Sequence, residues 1–356
     1  MIDQTSENNK IEQRTFSGNI YIFQAFDVGD DIQLDHIESS KTLSTLPLTL
    51  PKYFKNYHVP LAIALPNAQA GSRCISSKIH NFGAISLTYK IPFNDTFEEL
   101  RKKISNIDNE FKEQSFLDVK TIYKKIKPFI VSPKFFQTRS SYLVIEVDPQ
   151  TNGIDIASLK EQYGGLIASM LRFETQSLSE YQKDEILNDA IGYFRGDLIV
   201  IDTEASFIYD EEYEEILDFF EFANIQQLEL RYFDRLLDHQ LNTIYEGKVG
   251  RLPIKAYLPF IGGYLSGSVA DLGRLKVDIS VIIERIESSI KVAGEAYYSE
   301  LYSVLMEKLD IQNWKESIDR KLLIIKDIRD VYEHKTDSAR EDLVSILIIM
   351  TKILDK

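Results

Sequence analysis

Up to residue 209 the apolar positions fall in short runs, and beyond it they recur at steps of three and four. GNIYIFQAFDV (18–28), LAIAL (61–65), FGAISLTYKIPF (82–93) and SYLVIEVD (141–148) are rich in β-branched and aromatic residues and have the length of strands. Between the first two, LPLTLPKYF contains Pro47 and Pro51, which forbid a regular helix and mark an extended loop. Helical patterns alternate with these runs. DTFEELRKKISNIDNEF starts on an Asp/Thr cap signal, a second helix is expected over roughly 115–127 with Pro128 as its stop, and DIASLKEQYGGLIASMLRFE reads as helix despite Gly164 and Gly165. GDLIVIDTEASFIYD (196–210) holds two β-rich runs, a bent strand or a hairpin.

The period then changes. Residues 210–246 read as one long acidic helix, with Asp210 and the following glutamates at its positive dipole end and Gly247 as its stop. A Gly/Pro-rich connector spans 247–269. Beyond it Leu272, Leu275, Ile279, Ile282, Ile286 and Ile290 form a coiled-coil-like seam. Further helices are expected near 294–309, over 311–334 and over 335–354. The expected fold class is therefore α+β: a polar, disordered lead-in (1–15), an α/β-type sheet domain (16–209), the linking helix, the connector, and an all-helical C-terminal domain (270–356).

Composition supports two domains, since 356 residues exceed one typical core. A single cysteine, Cys74, permits no intrachain disulfide and suits a reducing cytosol. The N-terminus has no apolar stretch of the secretory kind, so a cytoplasmic location is expected. The net charge of −14 disfavours a general nucleic-acid binder. That charge is localised: residues 178–246 hold 18 Asp/Glu and 4 Lys/Arg, which accounts for the whole −14. Residues 101–139 hold 10 Lys/Arg and 4 Asp/Glu, a basic face that would be the only foothold for RNA or an anionic surface.

Motifs for chemistry are sparse. IGGYLSGSVADLG has neither the GK[ST] ending of a P-loop nor the order of a dinucleotide fingerprint, and reads as flexible chain. His36, His58, His80, His239 and His334 form no HExxH pair, and no cofactor is implied. Cys74 with His80 as base would need support from the fold, and a buried thiol is the simpler reading. The best chemical constellation is Asp202, Glu204 and Asp210. If 198–204 is a strand, Asp202 and Glu204 share a face, where two carboxylates can hold a divalent cation or divide acid and base roles.

The C-terminal run AYYSELYSVLMEKLDIQNWKESIDRKLLIIKDIRDVYEHKTDSAREDLVSILIIM resembles the end of the required-for-meiotic-nuclear-division family, a domain of unknown function. The resemblance rests on Tyr297 and Tyr298, Trp314, the step Asp319, Arg320, Lys321 and Leu322, and Arg340 before an apolar tail. It implies a non-enzymatic, self-associating organiser, often at a membrane, and it supplies no catalytic residues. The tail departs from that pattern. Leu343 to Leu354 is 12 residues, about 18 Å of helix against a bilayer core of roughly 30 Å. Its residues Leu343, Leu347, Ile348 and Met350, like Trp314, are expected to pack against protein. The functional expectation is a scaffold or interaction protein that forms a homo-oligomer and docks peripherally at a membrane surface. A metal-dependent hydrolase or nucleotidyl enzyme using Asp202, Glu204 and Asp210 is the alternative.

Overall fold

A computed structural model describes residues 14–48, 54–55, 59–66, 73–135, 139–246, 276–277, 279–281, 283–284, 291–292 and 296–354. Most of the expected lead-in and all of the 247–269 connector lie outside these residues, as does most of the 272–290 seam, of which Ile279 is described and buried. The elements in chain order are β1 (Thr15–Asp27), β2 (Asp31–Ile32), α1 (Leu34–Ser40), β3 (Phe54–Lys55), β4 (Leu61–Ala62), β5 (Cys74–Ile79), β6 (Ala84–Thr96) and α2 (Phe97–Ile126). There follow β7 (Ile130–Val131), β8 (Arg139–Val147), the single turn α3 (Pro149–Asn152), α4 (Ile156–Leu171), α5 (Glu180–Asn188), β9 (Leu198–Ile201) and β10 (Ala205–Tyr209). The chain closes with α6 (Glu214–Glu246), β11 (Lys291–Val292), α7 (Ala296–Lys308) and α8 (Ile311–Leu354). The fold is α+β, as the pattern implied.

Two compact units emerge, one of Met1–Glu229 with Ile286–Ile311 and one of Leu230–Arg285 with Gln312–Lys356. The first is built on a seven-stranded sheet of order β4-β5-β6-β1-β8-β10-β9. β1 is its spine, antiparallel to β6 along its whole length and to β8 on its other side. β8 and β10 are parallel, while β9 returns antiparallel to β10 as a hairpin. Alternation along β1 decides what covers each face. Phe16, Ile20, Ile22 and Phe26 join the main core with α2 and α4, where Phe16 stacks on Phe97 at 4.0 Å and meets Tyr163 edge-on at 4.9 Å. Each such fully buried side chain contributes roughly 1.5–3 kcal/mol.

Tyr21, Phe23 and Ala25 point to the opposite face, which the first half of α6 covers. Asn224 donates to the Phe23 and Ser140 carbonyls, and Phe220 stacks on Tyr142 with ring centres 5.6 Å apart. This face is polar as well as apolar. Lys78 bridges Asp218 and Glu221 at 3.0 and 2.6 Å, Ser86 donates to Glu221, and buried His80 bonds Ser86. A charge row of this kind is stable only because every member has a partner.

Helix boundaries differ from expectation in three places. The two helices expected between 97 and 127 are one, because Ser115 bonds back to the Lys112 carbonyl instead of capping a new helix. Its start is as anticipated: Thr96 and Glu99 form a reciprocal capping box. α6 begins at Glu214, since the Asp210 carboxylate accepts from the Glu212 amide and holds 210–213 as a turn. The helices expected over 311–334 and 335–354 are one helix, α8, a stretch without Gly or Pro. Among the described residues no helix is long and apolar enough to cross a membrane.

Candidate binding site

The parallel pair of strands sets the location. In open sheets with parallel strands, ligands gather outside the strands' carboxyl ends. β8 ends at Val147 and is followed by Pro149; β10 ends at Tyr209 and is followed by Asp210. A cavity of about 590 Å³ lies there, walled by Pro149, Asp210 and its neighbours, Tyr193, Phe194, Gly196 and Asp197 of one loop, and the first turn of α7. Its size falls within the usual range of small-molecule sites, roughly 300–1,000 Å³.

Two kinds of side chain line it. The aromatic wall is a continuous row in which Phe194 meets Tyr193 edge-on at 4.6 Å, Tyr193 meets Tyr297 at 5.0 Å, and Tyr297 meets Tyr298 at 5.2 Å. Tyr298 is backed by Phe219, stacked at 5.6 Å, and donates to Glu215. Tyr193 and Phe194 are 57% and 66% exposed, whereas Tyr297 and Tyr298 are buried. The acidic lining is Asp197, Asp210, Glu211 and Glu212, and no Lys or Arg lines the cavity among the described residues.

Local structure fixes these groups. Asp197 accepts from the Phe194 amide at 2.8 Å and closes the loop, and Gly192 is needed because a Cβ there would meet the Asp197 carbonyl oxygen at 2.6 Å. Glu211 accepts from the Gln150 side-chain Nε2 at 3.1 Å. Burial pushes the Asp210 carboxyl above the usual range; the Glu212 amide opposes this, while Asp197, Glu212 and Glu211 add to it. Burial also raises the Tyr297 phenol, helped by Asp210 and Asp197. The Tyr297 hydroxyl is buried beside Asp210.

Of the carboxylates singled out from sequence, only Asp210 belongs to this site. Asp202 and Glu204 sit in the turn between β9 and β10, not along one strand. Asp202 is buried and paired with Arg172 at 2.5 Å, while Glu204 is exposed. Asp210 lies at the other end of β10, roughly 20 Å away at the rise of an extended strand. The three therefore do not meet around one ion, and no group of three metal-ligating side chains is found among the described residues. Cys74 and His80 do not form a reactive pair. Burial pushes the thiol up to about 11 and the imidazole down to about 4, and each has other partners.

The basic face is partly consumed by structure. Arg101 is buried against Glu98, and Arg139 is clamped by Asp108 and Gln24, leaving Lys102, Lys112, Lys120 and Lys124 on the exposed side of α2. In the second unit Trp314 is half-buried on α8 and Asp319 and Arg320 are exposed. Lys321 joins Asp234 and Asp238 at 2.7 and 2.6 Å. The side chains of Leu343, Leu347, Ile348 and Met350 lie outside the described residues, although their backbone is part of α8.

Sequence reasoning missed Tyr193, Phe194 and Asp197. A signal was present in GYFRGD: two adjacent aromatics between Gly192 and Gly196 suit a loop better than a core. Tyr297 and Tyr298 drew notice only as positions of the family resemblance.

Residues 17–215, more than half of the chain, match the family described as the N-terminal domain of uncharacterized protein MJ0711. The chain belongs to this family. It is 25% identical over 224 residues to "Uncharacterized protein MJ0711" of Methanocaldococcus jannaschii, a stretch that covers 62% of this chain and 63% of that protein. The chain thus matches less than two thirds of that relative's length. No solved structure matches. This finding corrects the expected membership of the required-for-meiotic-nuclear-division family, which no match supports. The features behind that expectation, apolar helical stripes with a Trp and a charged DRKL step, are what any packed surface helix carries. The family segment holds β8 to β10 and the acidic lining of the cavity; Tyr297 and Tyr298 lie beyond it.

Proposed function

We propose that this chain is a non-enzymatic interaction protein in which the sheet unit is the binding platform and the C-terminal helices associate with a second copy. The observation that carries this reading is α8. At 44 residues it is about 66 Å long. It buries Ile318, Leu322 and Ile325, yet it leaves Leu323 58% and Val331 55% exposed, with Ile324 and Val344 also open. Apolar positions on more than one side of a helix call for a second covering surface.

Charge favours a like helix as that surface. Between 311 and 354 there are 8 Lys/Arg and 8 Asp/Glu, interspersed and summing to zero in a chain of net −14. A neutral, mixed-charge face is self-complementary, whereas an anionic membrane attracts a basic one. Against the catalytic alternative stands the separation of Asp202 from Asp210.

Light scattering tests the proposal. The intact chain is expected at a multiple of its monomer mass, and the double variant Leu323→Glu, Val331→Glu at the monomer mass with unchanged helical circular dichroism. A monomeric intact chain defeats the idea.

A further inference from the structure

We propose that α8 pairs with the α8 of a second copy in antiparallel orientation, about a midpoint between residues 330 and 331. The pairing gives direction to the self-association proposed above and rests on it. The stripe of α8 opposite its buried side carries the signal. Ile318, Leu322 and Ile325 are buried. At about 3.6 residues per turn, the opposite side holds Arg320, Asp327, His334 and Glu341, which recur at steps of seven. All four are exposed, and none of their side chains makes an ion pair or hydrogen bond among the described residues. Leu323, Ile324 and Val331 flank the same stripe and are exposed as well.

From its N-terminal end the stripe runs Arg, Asp, His, Glu; from the other end it runs Glu, His, Asp, Arg. An antiparallel pair therefore sets Arg320 against the partner's Glu341 and Asp327 against the partner's His334, and two-fold symmetry makes each contact twice. Each joins a donor to a carboxylate: the Arg320 guanidinium donates to Glu341, and an imidazole N–H of His334 donates to Asp327. The parallel, in-register arrangement does the reverse. It sets Arg320 on Arg320, Asp327 on Asp327 and Glu341 on Glu341, so the same residues that favour one orientation repel in the other. Within one chain Arg320 and Glu341 are 21 residues apart, about 32 Å along the helix, far too distant to pair with each other. Their complementarity has a use only between chains. A surface of one sign, such as an anionic membrane, would meet repulsive as well as attractive charges on this stripe. Leu323, Ile324 and Val331 supply the apolar contact, while the charges choose the orientation.

Charge exchange tests the orientation, with the dimer dissociation constant of the full chain read by analytical ultracentrifugation at low and high salt. Arg320→Glu and Glu341→Arg should each weaken the dimer about five- to thirtyfold at low salt, because each turns two attractive pairs into repulsive ones. The combined variant Arg320→Glu, Glu341→Arg inverts both partners of each pair and should return to within about twofold of the parent. In about 1 M salt the differences between variants should shrink, since exposed charges are screened. Both positions are exposed, and unchanged helical circular dichroism checks that each variant is folded. A combined variant no tighter than the single ones overturns the antiparallel pairing. Single variants that dimerise as the parent does also overturn it, and that is the result a parallel pair would give. In both cases the intact chain is still a dimer, so self-association through α8 survives. An intact chain that stays monomeric sinks the two readings together.

Discussion

Asp27 and Glu229 show how single residues carry a pH dependence here. Both are 2% exposed, and in each one carboxylate oxygen lacks a hydrogen-bond partner among the described residues. Burial pushes Asp27 up to about 7; the Gly29 amide and Lys134 oppose this, and Asp30 adds to it. Burial and the nearby acids Asp27 and Asp30 lift Glu229 well above the usual carboxylate range. A carboxyl raised in the folded state contributes stability that is fully present below its unfolded value near 4 and is lost as pH rises through the folded value near 7. Asp27→Asn removes that loss while keeping an acceptor for the Gly29 amide. Urea denaturation should find the variant more stable than the parent by on the order of 1–3 kcal/mol at pH 8, with little or no advantage at pH 4. An equal difference at both pH values would show that ionisation is not the cause. His80 works in the opposite sense: buried and held down to about 4, it subtracts stability as pH falls below the usual imidazole range.

At the scale of elements, two glycines make opposite predictions. Gly83 has φ +111° at the turn into β6, and a Cβ there would lie 1.8 Å from the Gly29 carbonyl oxygen. Its own carbonyl accepts from the Val28 amide, so the turn and the chain leaving β1 are locked together. Gly83→Ala should destabilise by about 2–4 kcal/mol. Gly165 lies inside α4, where a Cβ would meet only the Lys183 side chain at 3.9 Å. Gly165→Ala should stabilise by up to about 1 kcal/mol. Thermal melts of the pair check both signs, and a matching sign for the two would refute the packing argument. The same elements show what was readable in the chain. β1, β6, β8 and α4 were legible because each carries a long apolar signal of one period. β5 was not, because CISSKI is largely polar and becomes a strand by pairing with β6, with Lys78 bridging to α6 on one face and Ser77 buried on the other. The binding site was legible only at Asp210, since its other walls come from segments far apart in sequence.

At the scale of the whole molecule, charge is sorted by role. The acidic block 178–246 supplies both the cavity lining and α6, while α8 is neutral overall. Association through Leu323 and Val331 rests on apolar area and persists at high salt. Trp314, the one tryptophan of the chain, sits half-buried on α8 and reports the melting of that helix by fluorescence. If a second copy binds the native state, mass action raises its melting temperature with protein concentration. An increase of roughly 1–3 °C for each tenfold rise is expected for a dimer of this size. That increase should survive at high salt and vanish in Leu323→Glu, Val331→Glu. A melting temperature independent of concentration over about a hundredfold range would mean that α8 keeps its apolar side chains open without a second copy to cover them.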